Sequence, residues 1–152
     1  MTMQTLVVLA IGIAFGWKLG VATITLYLFE GIIGLPVFSG TPEKGIGLVY
    51  FTGPTMGYLI GFIVAAFFTG FLKFDNWTQK SDTSLEAFFI NFIKLLISVA
   101  TIYLLGILWL SKFVGWDKVL LFGLKPFWYA ELFKILILSF LLPTILKLKK
   151  II

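Results

Sequence analysis

Five apolar runs, separated by short polar or glycine-bearing connectors, set the pattern of this chain. A helix needs about 20 residues to cross a bilayer core of about 30 Å. By that measure the runs at 19–35, 53–74, 88–110 and 127–146 predict membrane helices, and the run at 5–17 predicts a shorter one. Gly16, Trp17, Lys18 and Gly20 predict a tight turn between the first two, and Pro36 stops the second. The loop that follows carries Thr41, Pro42, Glu43 and Lys44, with Gly40, Gly45 and Gly47 marking turn conformations. Pro54 falls in the predicted first turn of the third helix, where its missing N–H does no harm. The stretch 73–84 is a polar connector, and 111–126, with Trp116 and three Lys, predicts an amphiphilic segment lying on the interface.

Composition fixes the class. Of 152 residues, 60% are apolar, 18% aromatic and 12% charged, against about 25% charged in an average soluble chain. The expectation is an all-α integral membrane protein, a bundle of about five transmembrane helices, forming a single membrane domain over 1–152. The net charge of +5 comes from twelve Lys placed mostly at the ends of the runs, the pattern of membrane-flanking charge and not of a nucleic-acid surface. If the C terminus is cytoplasmic, Lys18, Lys73, Lys80, Lys147, Lys149 and Lys150 fall inside and Lys44, Lys112, Lys118 and Lys125 outside, the sense of the positive-inside rule. The first run has neither a basic leader nor a small-residue cleavage pattern, so it is expected to be a retained helix.

Cysteine and histidine are absent, which removes disulfides, thiolate nucleophiles and the commonest zinc ligands. No Walker sequence, HExxH, nucleophile elbow or pair of carboxylates on one helix face occurs. An enzyme is therefore not expected, nor a cofactor. Two other features carry chemistry or packing. Gly53, Gly57, Gly61, Ala65 and Thr69 recur every four residues, a stripe that lets a second helix approach to backbone contact in lipid, either inside the bundle or on a partner. Glu131 and Lys134 lie three apart, hence on one face, in the first turns of the last helix. An ionisable pair inside a span points to a functional site; the alternative is an intrahelical ion pair at the interface.

Several of these strings resemble the BioY family, the biotin-specific S components of energy-coupling factor (ECF) transporters. The resemblance rests on GLPVFSG at 34–40, GPTMGYLIGF at 53–62, LKPFWYAELFK at 124–134, and Ile102, Tyr103 and Gly106 in the fourth run. It implies a six-helix membrane fold, capture of biotin from outside, and residence in the cytoplasmic membrane of a prokaryote. It also implies a transmembrane coupling protein and an ATPase pair as partners, with the loaded S component toppling in the membrane to release its vitamin inside. In the family's LPFLPGDLLK, Glu131 takes the place of Asp and Lys134 is retained; the implied roles are a carboxylate accepting from the ureido N–H groups of biotin and a Lys donating to its carbonyl. Tyr58 stands where the family places a tyrosine near the ligand, and Gln4, in MTMQTL, matches the family's VPVTLQTL and is implied to face the site. The loop 38–47 is implied to help line the pocket. Met56, Tyr129, Ala130 and Val99 depart from the family pattern. Because MTMQTL matches the entry to the family's second helix, the resemblance also implies that the first helix is missing. A non-catalytic scaffold or decayed transporter fragment without ligand binding is the rival expectation.

Overall fold

The computed structural model describes residues 3–38, 43, 45–79 and 84–151, and these are helical with short connectors. In chain order the elements are α1 (Gln4–Ile33), α2 (Leu48–Phe51), α3 (Met56–Phe71), a 3-10 turn (Trp77–Gln79), α4 (Ser84–Val114), α5 (Trp116–Gly123) and α6 (Trp128–Lys149). The predicted turn between the first two runs is real, because α1 is interrupted at Gly16, whose φ of 75° and ψ of 174° are not helical. Only glycine adopts that conformation without strain. The arms 4–15 and 17–33 fold back on each other: Gln4 donates to the Tyr27 hydroxyl at 2.8 Å, and a Cβ on Gly20 would stand 3.0 Å from the Gly12 Cα.

Five apolar helical segments therefore traverse the bundle: the two arms of α1, then α3, α4 and α6. Among the described residues α1, α4 and α6 are long and apolar enough to cross a bilayer, α1 being interrupted at Gly16, and the chain is an all-helical membrane protein. The glycine stripe on α3 is taken up inside this bundle. A Cβ at Gly57 would lie 2.4 Å from the Trp109 Cβ, and one at Gly61 2.7 Å from the Ile102 Cα, so α3 meets α4 at backbone distance. Further along the stripe, Ala65 and Thr69 are fully buried, with the bare face of Gly12 on α1 set against Thr69 and Ala66.

Three element boundaries differ from expectation. The third helix begins at Met56 and not at Gly53; Gly53 and Pro54 form the turn before it, and the Gly53 carbonyl accepts from the Trp109 indole at 3.0 Å. The fourth extends a turn beyond the apolar run at each end, to Ser84 and Val114. The last, expected to end at 146, runs on to Lys149. Two polar residues of the fourth run, Asn91 and Lys94, tether the preceding connector: Asn91 clamps both backbone groups of Asp75, and Lys94 donates to the Lys73 carbonyl.

The antiparallel order of the helices also sorts the Lys residues. Lys18 at the α1 turn, Lys73 after α3 and Lys147, Lys149 and Lys150 at the end of α6 share one end of the bundle; Lys112, Lys118 and Lys125 share the other. Lys44 and Lys80 lie outside the described residues.

Candidate functional site

A cavity of about 320 Å³ lies among the first arm of α1, α3, α4 and α6, toward the end that carries Lys112, Lys118 and Lys125. Its size falls within the roughly 300–1,000 Å³ of small-molecule sites. All four residues singled out from sequence, Gln4, Tyr58, Glu131 and Lys134, line it. The hairpin at Gly16 brings Gln4 and Thr5 to the first turns of α6, and α6 presents Glu131 and Lys134 inward because they lie three apart.

The polar end is a closed cluster of three side chains. Lys134 Nζ donates to Glu131 Oε1 at 2.7 Å and to Thr5 Oγ1 at 3.0 Å, while the Thr5 hydroxyl donates to the same Glu131 oxygen at 3.1 Å. A hydroxyl can do both, having one donor and two lone pairs. Both charged side chains are buried, at 6% exposure. The pair is thus intrahelical but internal to the bundle, and not at the water interface. Mutual neutralisation makes such burial tolerable. Glu131 Oε2 is also buried, and among the described residues it has no hydrogen-bond partner, a condition that native interiors rarely leave unanswered.

The rest of the wall is aromatic and aliphatic. Tyr50, Tyr58, Phe62, Tyr103, Phe122 and Phe127 contribute rings, and Thr55 adds a hydroxyl. Tyr58 packs edge-on against Tyr103 with ring centroids 5.8 Å apart, and its hydroxyl donates to the Gly123 carbonyl at 3.0 Å. Gln4 sits at the margin, where its amide donates to Tyr27, which in turn donates to the Val37 carbonyl at 3.3 Å. Beyond it the Phe38 ring stacks on Tyr50 at 4.8 Å and fills the notch left by Gly31. Of the loop expected to line the pocket, residues 39–42 and 44 lie outside the described residues. An apolar groove of about 440 Å³ runs between α4 and α6 and shares Tyr103 and Glu131 with the cavity. Among the described residues no cluster of His, Cys, Asp and Glu could hold a metal ion.

Thr5, Tyr50 and Tyr103 are members of this wall that sequence reasoning did not select. The signal for Tyr103 was present, as it falls in the matched pattern of the fourth run. Thr5 carried none of its own, because only the hairpin brings it to Glu131, 126 residues away.

Fold and cavity together define a helical membrane protein with an internal cavity that is apolar along its walls and ionic at one end. The chain belongs to the BioY family, whose model matches residues 1–150. It is 32% identical over 134 residues to a probable biotin transporter BioY of Pyrococcus horikoshii, covering 88% of this chain and 72% of that one. It is 33% identical over 140 residues to biotin transporter BioY2 of Lactococcus lactis subsp. cremoris, covering 91% and 71%, and 32% identical over 151 residues to biotin transporter BioY of Thermotoga maritima, covering 99% and 80%. Among solved structures, the S-component for biotin from an ECF-type ABC transporter matches with a TM-score of 0.78 and 25% identity, over 97% of this chain and 75% of that one.

Proposed function

We propose that this chain takes up biotin as the substrate-capturing S component of an ECF-type transporter, holding the vitamin in the cavity closed by Glu131, Lys134 and Thr5. Membership of the BioY family and the named relatives support the ligand. The observation that carries the site is the buried Glu131 Oε2, which lacks a partner among the described residues in an otherwise satisfied cluster. The ureido ring of biotin offers two N–H donors and one carbonyl. Glu131 Oε2 can accept from the ring, and Lys134, which spends two of its three hydrogens on Thr5 and Glu131, has one left for the carbonyl. Such charge-assisted bonds are the strong ones. The thioether ring and the aliphatic tail match the rings of Tyr58, Phe62 and Tyr103.

Gln4 and Tyr58 complete the proposed site, Gln4 at its margin and Tyr58 along its wall. The positive-inside rule puts the end bearing Lys18, Lys73, Lys147, Lys149 and Lys150 in the cytoplasm, so the cavity opens outward from the cytoplasmic membrane of a prokaryote. The sequence has no nucleotide-binding motif, so energy for release comes from a transmembrane coupling protein and an ATPase pair. A purely structural scaffold has no use for a carboxylate oxygen buried without a partner, and that favours the binding reading.

Uptake of labelled biotin by an auxotroph that lacks its own transporter tests the proposal, with this chain expressed alone and together with a coupling protein and ATPase pair. Uptake above the empty-vector strain, lost in Glu131→Ala, is expected. A chain present in the membrane that supports no uptake in either setting would overturn it.

A further inference from the structure

α5 rests on α4 by one face, through Val119 and Gly123. Of its side chains, Val119 is buried against α4, while Trp116, Leu120, Leu121 and Phe122 are exposed. It enters through Gly115, whose φ of 79° belongs to glycine and whose Cβ position faces open space; its N–H donates to the Ser111 carbonyl and its carbonyl accepts from the Val119 N–H. Its last residue, Gly123, is held from the opposite side of the cavity: the Tyr58 hydroxyl on α3 donates to the Gly123 carbonyl at 3.0 Å. That tyrosine is seated in two notches. A Cβ on Gly106 would meet its ring at 2.3 Å, and one on Gly123 would meet its hydroxyl at 2.7 Å. Phe122, next to the bonded carbonyl, edges the cavity that Tyr58 also lines.

From this geometry we infer that α5 is a lid over the cavity mouth, hinged at Gly115 and latched by the hydrogen bond from Tyr58 to Gly123. Tyr58 is then a positioning residue, setting how often the mouth opens, in addition to its place on the wall. One neutral hydrogen bond shifts an equilibrium by roughly three- to tenfold, so the latch biases the lid toward closure without locking it. Phe122 swings with α5 when the latch parts, which uncovers the polar end to water. The inference takes the cavity to be the ligand site proposed above, yet the lid can be read without any ligand.

The chain contains no cysteine, so a single one introduced at a cavity-lining position is a unique reporter. Leu59→Cys and Ile102→Cys, both buried, would be labelled in the full chain in liposomes with a water-soluble maleimide, with and without Tyr58→Phe. Loss of the hydroxyl is expected to raise labelling at both positions by roughly three- to tenfold, the population change that one lost neutral hydrogen bond produces. Gly123→Ala, which must displace the Tyr58 hydroxyl, is expected to do the same and serves if Tyr58→Phe does not fold. Unchanged labelling in both variants would overturn the lid. Biotin is expected to protect both cysteines; failure of protection with labelling still dependent on Tyr58 would reject biotin as the ligand and leave the lid standing.

Discussion

Trp77 donates its indole N–H to the backbone carbonyl of Ser139 at 3.1 Å. That carbonyl sits four residues before Pro143, inside α6, and proline has no N–H with which to answer it. The 3-10 turn between α3 and α4 thus supplies from outside the hydrogen bond that the helix cannot make for itself. The Trp77 ring is held edge-on against Phe88, at 5.6 Å between centroids, and lies near Phe140. In hydrocarbon an unanswered carbonyl is costly, so this contact explains how α6 continues through a proline to Lys149.

Trp77→Phe is expected to destabilise the protein by about 1–3 kcal/mol, the cost of a buried acceptor left unmade. Pro143→Leu restores the internal donor, so the same Trp77→Phe change on that background should cost much less. Thermal melting of the two single variants and the double variant in detergent measures the coupling. Additive losses would show that Trp77 stabilises by packing alone.

Thr5 links the first arm of α1 to the ion pair on α6, giving one hydrogen bond to Glu131 and taking one from Lys134. Thr5→Val keeps the shape and removes both. It is expected to weaken biotin binding by roughly tenfold, about one hydrogen bond to a charged group, while Thr5→Ser stays close to wild type. Calorimetric titration of the purified variants checks this, and equal affinity for Val and Ser would remove Thr5 from the site.

Gly61 and Gly53 belong to one stripe but face different neighbours. A Cβ on Gly61 would press on the Ile102 backbone at 2.7 Å, whereas one on Gly53 would lie 3.2 Å from the Tyr50 carbonyl. Gly61→Ala should therefore force α3 and α4 apart at a cost of about 1–3 kcal/mol, with Gly53→Ala clearly milder. Melting temperatures in detergent give the comparison. Equal effects would mean that the stripe does not set the distance between these helices.

Much of this arrangement is legible in the chain itself. Gly16 announced the turn of the hairpin, because a glycine beside Trp17 and Lys18 breaks two apolar runs that would otherwise merge. Glu131 and Lys134 announced the ionic end of the cavity through spacing and the expense of burying them. The start of α3 was misjudged, whereas the run at 127–146 passes through Pro143 as expected, for a reason that lies elsewhere in the chain. Pro54 suits a helix start but sits in a turn stabilised by Trp109, and Pro143 tolerates a helix only because Trp77, 66 residues upstream by number, supplies the missing donor. Thr5 and the bond between Tyr58 and Gly123 are tertiary pairings across 126 and 65 residues, beyond the reach of any local pattern.

Calorimetric titration of biotin into the purified wild-type chain beside Glu131→Ala measures whether the cavity bounded by Glu131 and Lys134 is a biotin site. Saturable one-to-one binding by the wild type, weakened at least roughly ten- to a hundredfold by the substitution, is the expected result for a lost charge-assisted contact. Equal affinity in the two proteins, or no binding by a folded wild type, would contradict that assignment.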